Sequence, residues 1–460
     1  MPETFPLSAY DNAVTRMYSL GHELANRPSH KFDLAHMRRL LQELGSPEAK
    51  FPAVLIAGTN GKGSTAATLA AILQAAGYRT GLYTSPHLIR INERVRVDGK
   101  PIPDADFARL HDLTDRAATN LVAEKELPWH PSFFEMITAI AFQHFAEAHV
   151  DIAVLEVGMG GRLDATNVVE PRVSVIADIA LDHQQYLGNT IAEIAREKAG
   201  IIREGGVAVT LPQIPEANDA LGHAMVERNA RGVNATQYVP PISPGAAQLR
   251  VASREYKAGS ETRLGQEYHL QVFGQDILVQ TPLLGRHQLR NVALAIAAAE
   301  ELTIQNFKIT AENIEQGIRE TRWPGRLQRE VIDGTEYLLD VAHNPAGAWA
   351  LRSALSELFE ARPLTFVFGA MRDKAISEMA EILFPLADHV IATPANNPRS
   401  ASPEDIRVAA GRVAVDLESA TNVSEALERA RTAAGKNGLV VVTGSIYIVG
   451  EAMRGLGLRI

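Results

Sequence analysis

The segment Ala57-Gly58-Thr59-Asn60-Gly61-Lys62-Gly63-Ser64-Thr65 carries the clearest chemistry in this chain. An apolar run, Phe51 to Ile56, precedes it and reads as a buried parallel strand. After it, Leu69, Ile72, Leu73 and Ala76 fall on one helical face, and Gly77 supplies a C-terminal stop. Strand, glycine-rich turn and helix in that order form a phosphate-binding context. Glycines let backbone N–H groups close on phosphate oxygens, the helix start adds positive potential, and Lys62 adds a point charge. In an ordinary phosphate loop a Ser or Thr follows the lysine and binds magnesium. Here Gly63 follows, and Ser64 comes one residue late, about 100° further round the helix. The metal is therefore expected to take a hydroxyl from elsewhere, with Ser85 in Tyr83-Thr84-Ser85-Pro86-His87-Leu88 the nearest candidate.

Other candidates lie where predicted strands end. Glu156 closes Ala153-Val154-Leu155-Glu156, and His183 is expected to end the following strand in the same way. In open α/β sheets ligands bind beyond the carboxyl ends of strands, so both are candidate magnesium contacts. A histidine is an unusual ligand for so oxygen-loving an ion. Arg326, Asp340, His343 and Asn344 cluster near a predicted domain boundary, and Asn291 offers an amide for a nucleotide base or ribose. The turn Gly158-Met159-Gly160-Gly161 lacks the spacing of a dinucleotide fingerprint.

The elements that must hold these residues read as α/β throughout. Residues 9–46 read as helical. Strands are expected at 80–84, 152–157, 173–179 and 206–210, a strand ending in a turn at 95–100, and helices at 104–124, 132–149 and 190–203. Residues 233–265 read as an irregular surface insertion with weak strands, followed by a hairpin at 268–280. A helix starting near Gly285 carries Asn291, and another covers 310–321. Arg322-Trp323-Pro324-Gly325-Arg326 marks the boundary. Beyond it, strands at 337–341, 364–369, 389–393 and 438–442 alternate with helices from 346 and at 375–386, 403–412 and 423–434. The expected fold is therefore a two-domain α/β protein: a phosphate-loop ATPase-like domain over 1–321, a linker at 322–326 and a doubly wound, Rossmann-like domain over 327–460.

Composition narrows the function. The 460 residues exceed one compact core. A net charge of −9 disfavours a nucleic-acid binder. The chain has no cysteine, which removes thiolate nucleophiles, disulfides and cysteine-based metal sites. The start, Met1-Pro2-Glu3-Thr4-Phe5, shows no secretory pattern, and no apolar run is long enough to span a bilayer. The expectation is a cytoplasmic enzyme without membrane or nucleic-acid partners.

Many short motifs, in one order along the chain, carry a resemblance. They include Lys31-Phe32-Asp33-Leu34, the loop 58–64, Ser85-Pro86-His87-Leu88, Asn92-Glu93-Arg94-Val95, Ser132-Phe133-Phe134-Glu135 and Leu155 to Asn167. Leu181-Asp182-His183, Glu197 to Ile201, Gly285-Arg286-His287-Gln288, Pro324-Gly325-Arg326, Asp340 to Pro345 and Gly444-Ser445-Ile446-Tyr447 complete them. In these the chain resembles the bifunctional dihydrofolate synthase/folylpolyglutamate synthases, relatives of the Mur ligases. The resemblance implies an ATP-dependent acid–amino-acid ligase of folate biosynthesis. It would join L-glutamate to dihydropteroate or reduced folates through an acyl phosphate.

It also implies roles. Thr59, Asn60, Gly61, Lys62, Gly63, Ser64, Asn291, Arg326 and Asp340 would bind ATP. Ser85, Glu156 and His183 would hold magnesium, with potassium an optional second ion. Ser132, Phe133, Phe134, Glu135, Leu163, Asp164 and Ala165 match the pterin-substrate region. Lys62, Lys198 and His343 form the expected catalytic set, with Lys198 matching a lysine carboxylated in this family. The small-molecule partners are ATP, L-glutamate and the pteroyl acid, and a monomer is expected. Rival readings are a monofunctional folylpolyglutamate synthase, a Mur-type ligase, a phosphate-loop kinase or switch NTPase, and a non-catalytic nucleotide-binding scaffold. Only 57 residues precede Gly58, few for the separate nucleotide-sugar domain of a Mur-type enzyme.

Overall fold

The computed structural model describes residues 8–21, 34–241, 252–258, 261–359, 362–411, 413 and 416–458. The motif residues Lys31 to Asp33 and the stretch 242–251 lie outside the described residues.

The first sheet has eight strands: β1 (Ala53–Ala57), β2 (Thr80–Tyr83), β3 (Val95–Val97), β4 (Lys100–Pro101), β5 (Ile152–Glu156), β6 (Pro171–Ile176), β7 (Val207–Thr210) and β8 (Arg231–Asn234). Their order is β4-β3-β2-β5-β1-β6-β7-β8, parallel except for the β2–β3–β4 meander. Every residue of β1 and β5 is buried, because helices cover both faces of the parallel core. β1 therefore sits in the middle, with β5 on one side and β6 on the other. The phosphate loop after β1 is flanked by the ends of those two neighbours.

A small antiparallel sheet follows, β11-β10-β9, built from β9 (Ala252–Ala258), β10 (Glu261–Val272) and β11 (Gln275–Thr281). The expected hairpin is β10–β11, turned by Phe273 and Gly274, both at positive φ (52° and 73°), as a two-residue hairpin turn requires. The supposed weak strands are longer than expected, since β10 runs for 12 residues.

The second large sheet, β12-β13-β17-β14-β15-β16, comprises β12 (Gln328–Ile332), β13 (Thr335–Leu339), β14 (Leu364–Phe368), β15 (His389–Ala392), β16 (Asp416–Ser419) and β17 (Leu439–Thr443). All pairs are parallel except β12–β13. Arg322 to Arg326 connect the helix Ala311–Glu320 to β12. Leu88 and Ile89, from the first domain, pack against the apolar cluster of Tyr337, Val442 and Val449 in the second. At Gly450 an added Cβ would lie 2.0 Å from Leu88 O, so that seam needs a glycine. Among the described residues, no helix is long and apolar enough to cross a membrane.

Candidate active site

The carboxyl ends of the two large parallel sheets face one cleft, with a cavity of about 1750 Å³. From the first sheet come the loops after β1, β2, β5 and β6. From the second come those after β13 (Asp340 to His343), β14 (Met371, Lys374), β15 (Arg399) and β17 (Gly444 to Tyr447). Every residue singled out in the sequence as binding ATP, substrate or metal, or as catalytic, lines this cavity.

The phosphate loop is braced from below. The Thr59 and Asn60 N–H groups donate to Asp178 O at 2.8 and 3.1 Å, and Thr59 Oγ1 bonds Ala180 O at 3.0 Å. Gly61, at φ 86°, starts the helix Lys62–Ala75. A Cβ there would lie 2.1 Å from Asn291 Oδ1, and Asn291 is itself held by Gln288 at 2.8 Å. Gly63 has a steric cause. A Cβ at that position would lie 2.6 Å from Trp323 Cζ2, so the connecting segment's indole occupies the place of the usual hydroxyl residue's side chain. Lys62 Nζ curls back and donates to Gly58 O and Thr59 O at 3.0 and 3.1 Å.

Glu156 ends β5 and is buried. Burial raises its pKa, while the charge of Lys62 and the Ser85 N–H, 3.1 Å from Oε2, favour the carboxylate. Among the described residues that N–H is its one hydrogen-bond donor, so this buried carboxylate is suited to a cation. His183 does not end a strand. It lies seven residues beyond β6, at φ 51°, capping the short helix Gln184–Leu187. The stretch after Ile176 pairs with the phosphate loop, as in the Asn60–Asp178 bridge, instead of extending the strand. Burial pushes the His183 pKa down to about 4, which leaves a neutral imidazole at neutral pH. No three His, Asp or Glu side chains among the described residues form a metal-holding group. The Ser85 hydroxyl and the Glu156 carboxylate are oxygen donors of the kind magnesium takes alongside phosphates and water, whereas the His183 imidazole departs from that preference.

Lys198, on the helix Ile191–Ala199, is buried and donates to Gly58 O at 2.8 Å, the carbonyl that Lys62 also caps. Burial and the nearby Lys62 charge push its pKa down to about 7. Across the cleft, His343 Nδ1–H donates to Val341 O at 2.9 Å, so Nε2 carries the lone pair. Burial brings its pKa down to about 4. Asp340 accepts from the Leu327 and Ala342 N–H groups at 3.0 and 2.9 Å. Arg326 lies half-buried over the Trp323 ring, 5.7 Å from its centroid, and donates to Pro324 O and Gly325 O at 3.3 Å.

The expected substrate residues differ in how open they are. Phe133 is buried, stacked on Tyr18 at 5.7 Å with Arg94 5.3 Å from its ring. Phe134 is half-buried and presses on Gly158, where a Cβ would meet its ring at 2.4 Å. Ser132 and Glu135 form the capping box of the helix Phe133–Glu147. Asp164 accepts from Met159 N, Thr166 N and Thr166 Oγ1 at 3.0, 3.0 and 2.6 Å, which shapes the turn that holds Leu163 and Ala165.

Lys374 and Arg399 escaped the sequence reading, which named Asp182 only within a motif and Trp323 only at the boundary; His343 and Asn344, which it did single out, meet Asp182. Lys374 Nζ donates to Asp182 Oδ1 at 2.6 Å, Asn344 Nδ2 reaches Asp182 Oδ2 at 3.4 Å, and His343 Nε2 lies 3.8 Å from it. Trp323 and Arg399 also frame the cleft or its floor. Lys374 and Arg399 stand just beyond β14 and β15, and that position was the available signal.

Comparison with known proteins agrees with this geometry. Residues 128–299 match the Mur ligase middle domain, and residues 325–446 match the Mur ligase glutamate ligase domain. The Bacillus subtilis dihydrofolate synthase/folylpolyglutamate synthase is 35% identical over 432 residues, 92% of this chain and 94% of that protein. The solved structure of Mycobacterium tuberculosis folylpolyglutamate synthase complexed with ADP superposes with a TM-score of 0.85 at 34% identity, covering 97% of this chain and 99% of that one. The Escherichia coli FolC protein in complex with DHPP and ADP gives 0.78 at 29% identity over 96% and 97%. A phosphate loop on one sheet, facing a second sheet that carries Asp340 and His343, is thus the arrangement of a known group: the chain belongs to the dihydrofolate synthase/folylpolyglutamate synthase family of Mur ligases.

Proposed function

We propose that this chain joins L-glutamate to the carboxylate of dihydropteroate and of reduced folates, using ATP and an acyl-phosphate intermediate, as a cytoplasmic monomer. The observation that carries the reading is the single cleft in which the phosphate loop of one domain faces Asp340, His343 and Lys374 of the other. A carboxylate resists attack by an amine, so it must first be activated. A carboxylate oxygen attacks the γ-phosphorus and ADP leaves. The glutamate amine then attacks the acyl carbon, phosphate leaves, and one proton must be taken up.

The phosphate loop binds the nucleotide and Lys62 exchanges its carbonyl partners for phosphate oxygens, where its charge offsets that of the transferring group. Ser85, Glu156 and His183 would hold magnesium, which supplies further charge neutralisation when bound. Asn291 and Arg326 serve ATP from the two sides of the cleft. His343 lines the cleft as a neutral imidazole with Nε2 as acceptor and, with a pKa brought down to about 4, would pass the proton released by amide formation on to the departing phosphate rather than retain it. Lys198, with a pKa near 7, is a neutral amine in a large fraction of molecules and reacts with carbon dioxide to give a carbamate and a proton. Closure of the two domains keeps water from the acyl phosphate.

ADP release measured with dihydropteroate or a reduced folate, each with and without glutamate, tests the reading. Steady release that needs both glutamate and the pteroyl acid is expected. Release without glutamate would instead indicate a kinase or switch NTPase. Release with a folate but not with dihydropteroate would reduce the enzyme to a monofunctional folylpolyglutamate synthase.

A further inference from the structure

Part of the cleft wall is built by a joint that the proposed reaction leaves unexplained. His36 and Met37, on the helix Leu34–Glu43, line the cavity beside Trp129 to Glu135, the segment that leads into the helix Phe133–Glu147. The His36 side chain is only 6% exposed. Its Nδ1 lies 2.9 Å from Glu135 Oε1 and its Nε2 lies 3.0 Å from Trp129 O. Its ring stacks on the Trp129 indole at 5.7 Å with 29° between the planes. The other Glu135 oxygen accepts from Ser132 N and Oγ at 2.8 and 2.7 Å. Burial alone would raise the Glu135 pKa, but the His36 and Ser132 hydrogen bonds bring it below the usual value, so it stays a carboxylate. One imidazole thus fixes the loop backbone, the helix cap and the indole plane together.

We propose that Trp129 is a specificity-determining contact for the planar heteroaromatic ring of the carboxylate substrate, and that His36 is the residue that positions it. Trp129 is half-buried and lines the cleft, with His36 packed against its ring. An indole on an unsupported loop would lose much of its binding contribution to side-chain freedom, whereas a clamped one meets a flat ligand ready-ordered. Phe134, half-buried on the same wall, adds a second aromatic surface. Flat π-surfaces of this kind favour a bicyclic ring over an aliphatic acid. The inference rests on the ligase reading for its choice of ligand, since that reaction supplies a carboxylate carried on a pterin.

The test uses the full-length chain. Trp129→Leu is expected to raise KM for dihydropteroate or folate by about tenfold, a change of one aromatic contact. KM for ATP should stay within about twofold, since the phosphate loop, Asn291 and Arg326 lie elsewhere in the cleft, and KM for glutamate is expected to stay within the same limit. His36→Ala should follow Trp129→Leu, and His36→Gln, which keeps a donor, should fall between His36→Ala and the wild type. A simple structural role would move all three KM values and the melting temperature together, and that result overturns the proposal. So does an unchanged KM for the pteroyl substrate in Trp129→Leu. The chain has three tryptophans, so a W323F/W349F variant leaves Trp129 as the sole tryptophan, read by excitation that spares the tyrosines. Dihydropteroate alone should quench it, and unaltered emission on saturation counts against the contact. If the wild-type chain releases no ADP with glutamate, the ligase reading fails, while this titration still decides the role of Trp129.

Discussion

The Lys374 ammonium and the Asp182 carboxylate, 2.6 Å apart, join the glutamate-ligase domain to the phosphate-loop domain across the cleft. Both side chains are about one-tenth exposed (11% and 10%). Burial alone would raise the Asp182 pKa, but His183 and then Lys374, with a lesser contribution from His343, hold it well below the usual carboxylate range. Removing one partner leaves the other charge buried and unpaired, at a cost of about 3 kcal/mol. Lys374→Met is therefore expected to lower the melting temperature and to widen the domains, seen as a larger radius of gyration in solution scattering. The double variant Lys374→Met/Asp182→Asn should recover part of the lost stability. Purely additive losses would show that the pair does not couple the domains.

Gly63 and Trp323 make a second prediction. Gly63→Ser would restore the hydroxyl that ordinary phosphate loops carry after the lysine. Its Cβ, however, would lie 2.6 Å from the Trp323 ring, closer than atoms tolerate. The indole is also flanked by Arg96 and Arg326 at 6.0 and 5.7 Å, so it cannot move freely. Overpacking of this kind costs about 1–3 kcal/mol. Gly63→Ser should lower stability and raise KM for ATP, and combining it with Trp323→Ala should relieve the clash. An equal loss in both backgrounds would mean that the indole is not the obstacle.

Lys198 should make the enzyme sensitive to carbon dioxide and pH. Its pKa falls from 10.5 to about 7 in the folded chain. Between those values the unfolded chain holds the proton and the folded chain does not, so this residue's contribution to stability rises with pH across that window and is lost as pH falls towards 7. The neutral amine that reacts with carbon dioxide is likewise depleted below pH 7. Activity of enzyme depleted of carbon dioxide at pH 6 should be low, and bicarbonate at pH 8 should restore it. Lys198→Ala should abolish the bicarbonate response, and a short carboxylic acid should partly rescue turnover. Carbon-13 NMR after labelled bicarbonate should show a carbamate signal in the wild type and none in the variant.

Much of this arrangement was readable from the chain because strong local signals coincide with it. The strand–loop–helix around Lys62 has continuous burial, a run of glycines and a regular helical face, and the structure places it at the centre of the first sheet. The strand-end rule located Glu156 correctly but misplaced His183. A seven-residue excursion after β6, tied to the phosphate loop, has no hydrophobic signature. The helix Pro215–Glu227 was missed because its buried face is mostly alanine: Ala217, Ala220 and Ala224, with Leu221. The final helix Ile446–Gly455 was hidden by Gly450 and Gly455, and Gly450 exists for the contact with Leu88. The edge strands β12 and β16 are short, partly exposed and charged, which blurs alternation. Asp182, Lys374 and the His36–Glu135 pair depend on which loops meet across the cleft, information carried by tertiary packing rather than by local pattern.

The last prediction concerns Lys62. Its ammonium caps two carbonyls of its own loop, Gly58 O and Thr59 O. Binding of ATP must draw it off these partners, so part of the phosphate attraction is offset by two lost hydrogen bonds. The loop does not depend on it for shape, because Thr59 and Asn60 are held by Asp178 and Ala180. Removing Lys62 also leaves Lys198 on Gly58 O and takes away a neighbouring positive charge that lowers the Lys198 pKa. Lys62→Ala should therefore fold normally, with a melting temperature close to that of the wild type. It should bind ADP only modestly less well, while phosphoryl transfer falls by about 10²–10³-fold, the loss typical of removing one charge-stabilising group. Single-turnover formation of the acyl phosphate, trapped with hydroxylamine as the hydroxamate, separates this step from glutamate binding. Near-normal trapping in a folded Lys62→Ala protein would remove Lys62 from the phosphoryl-transfer step.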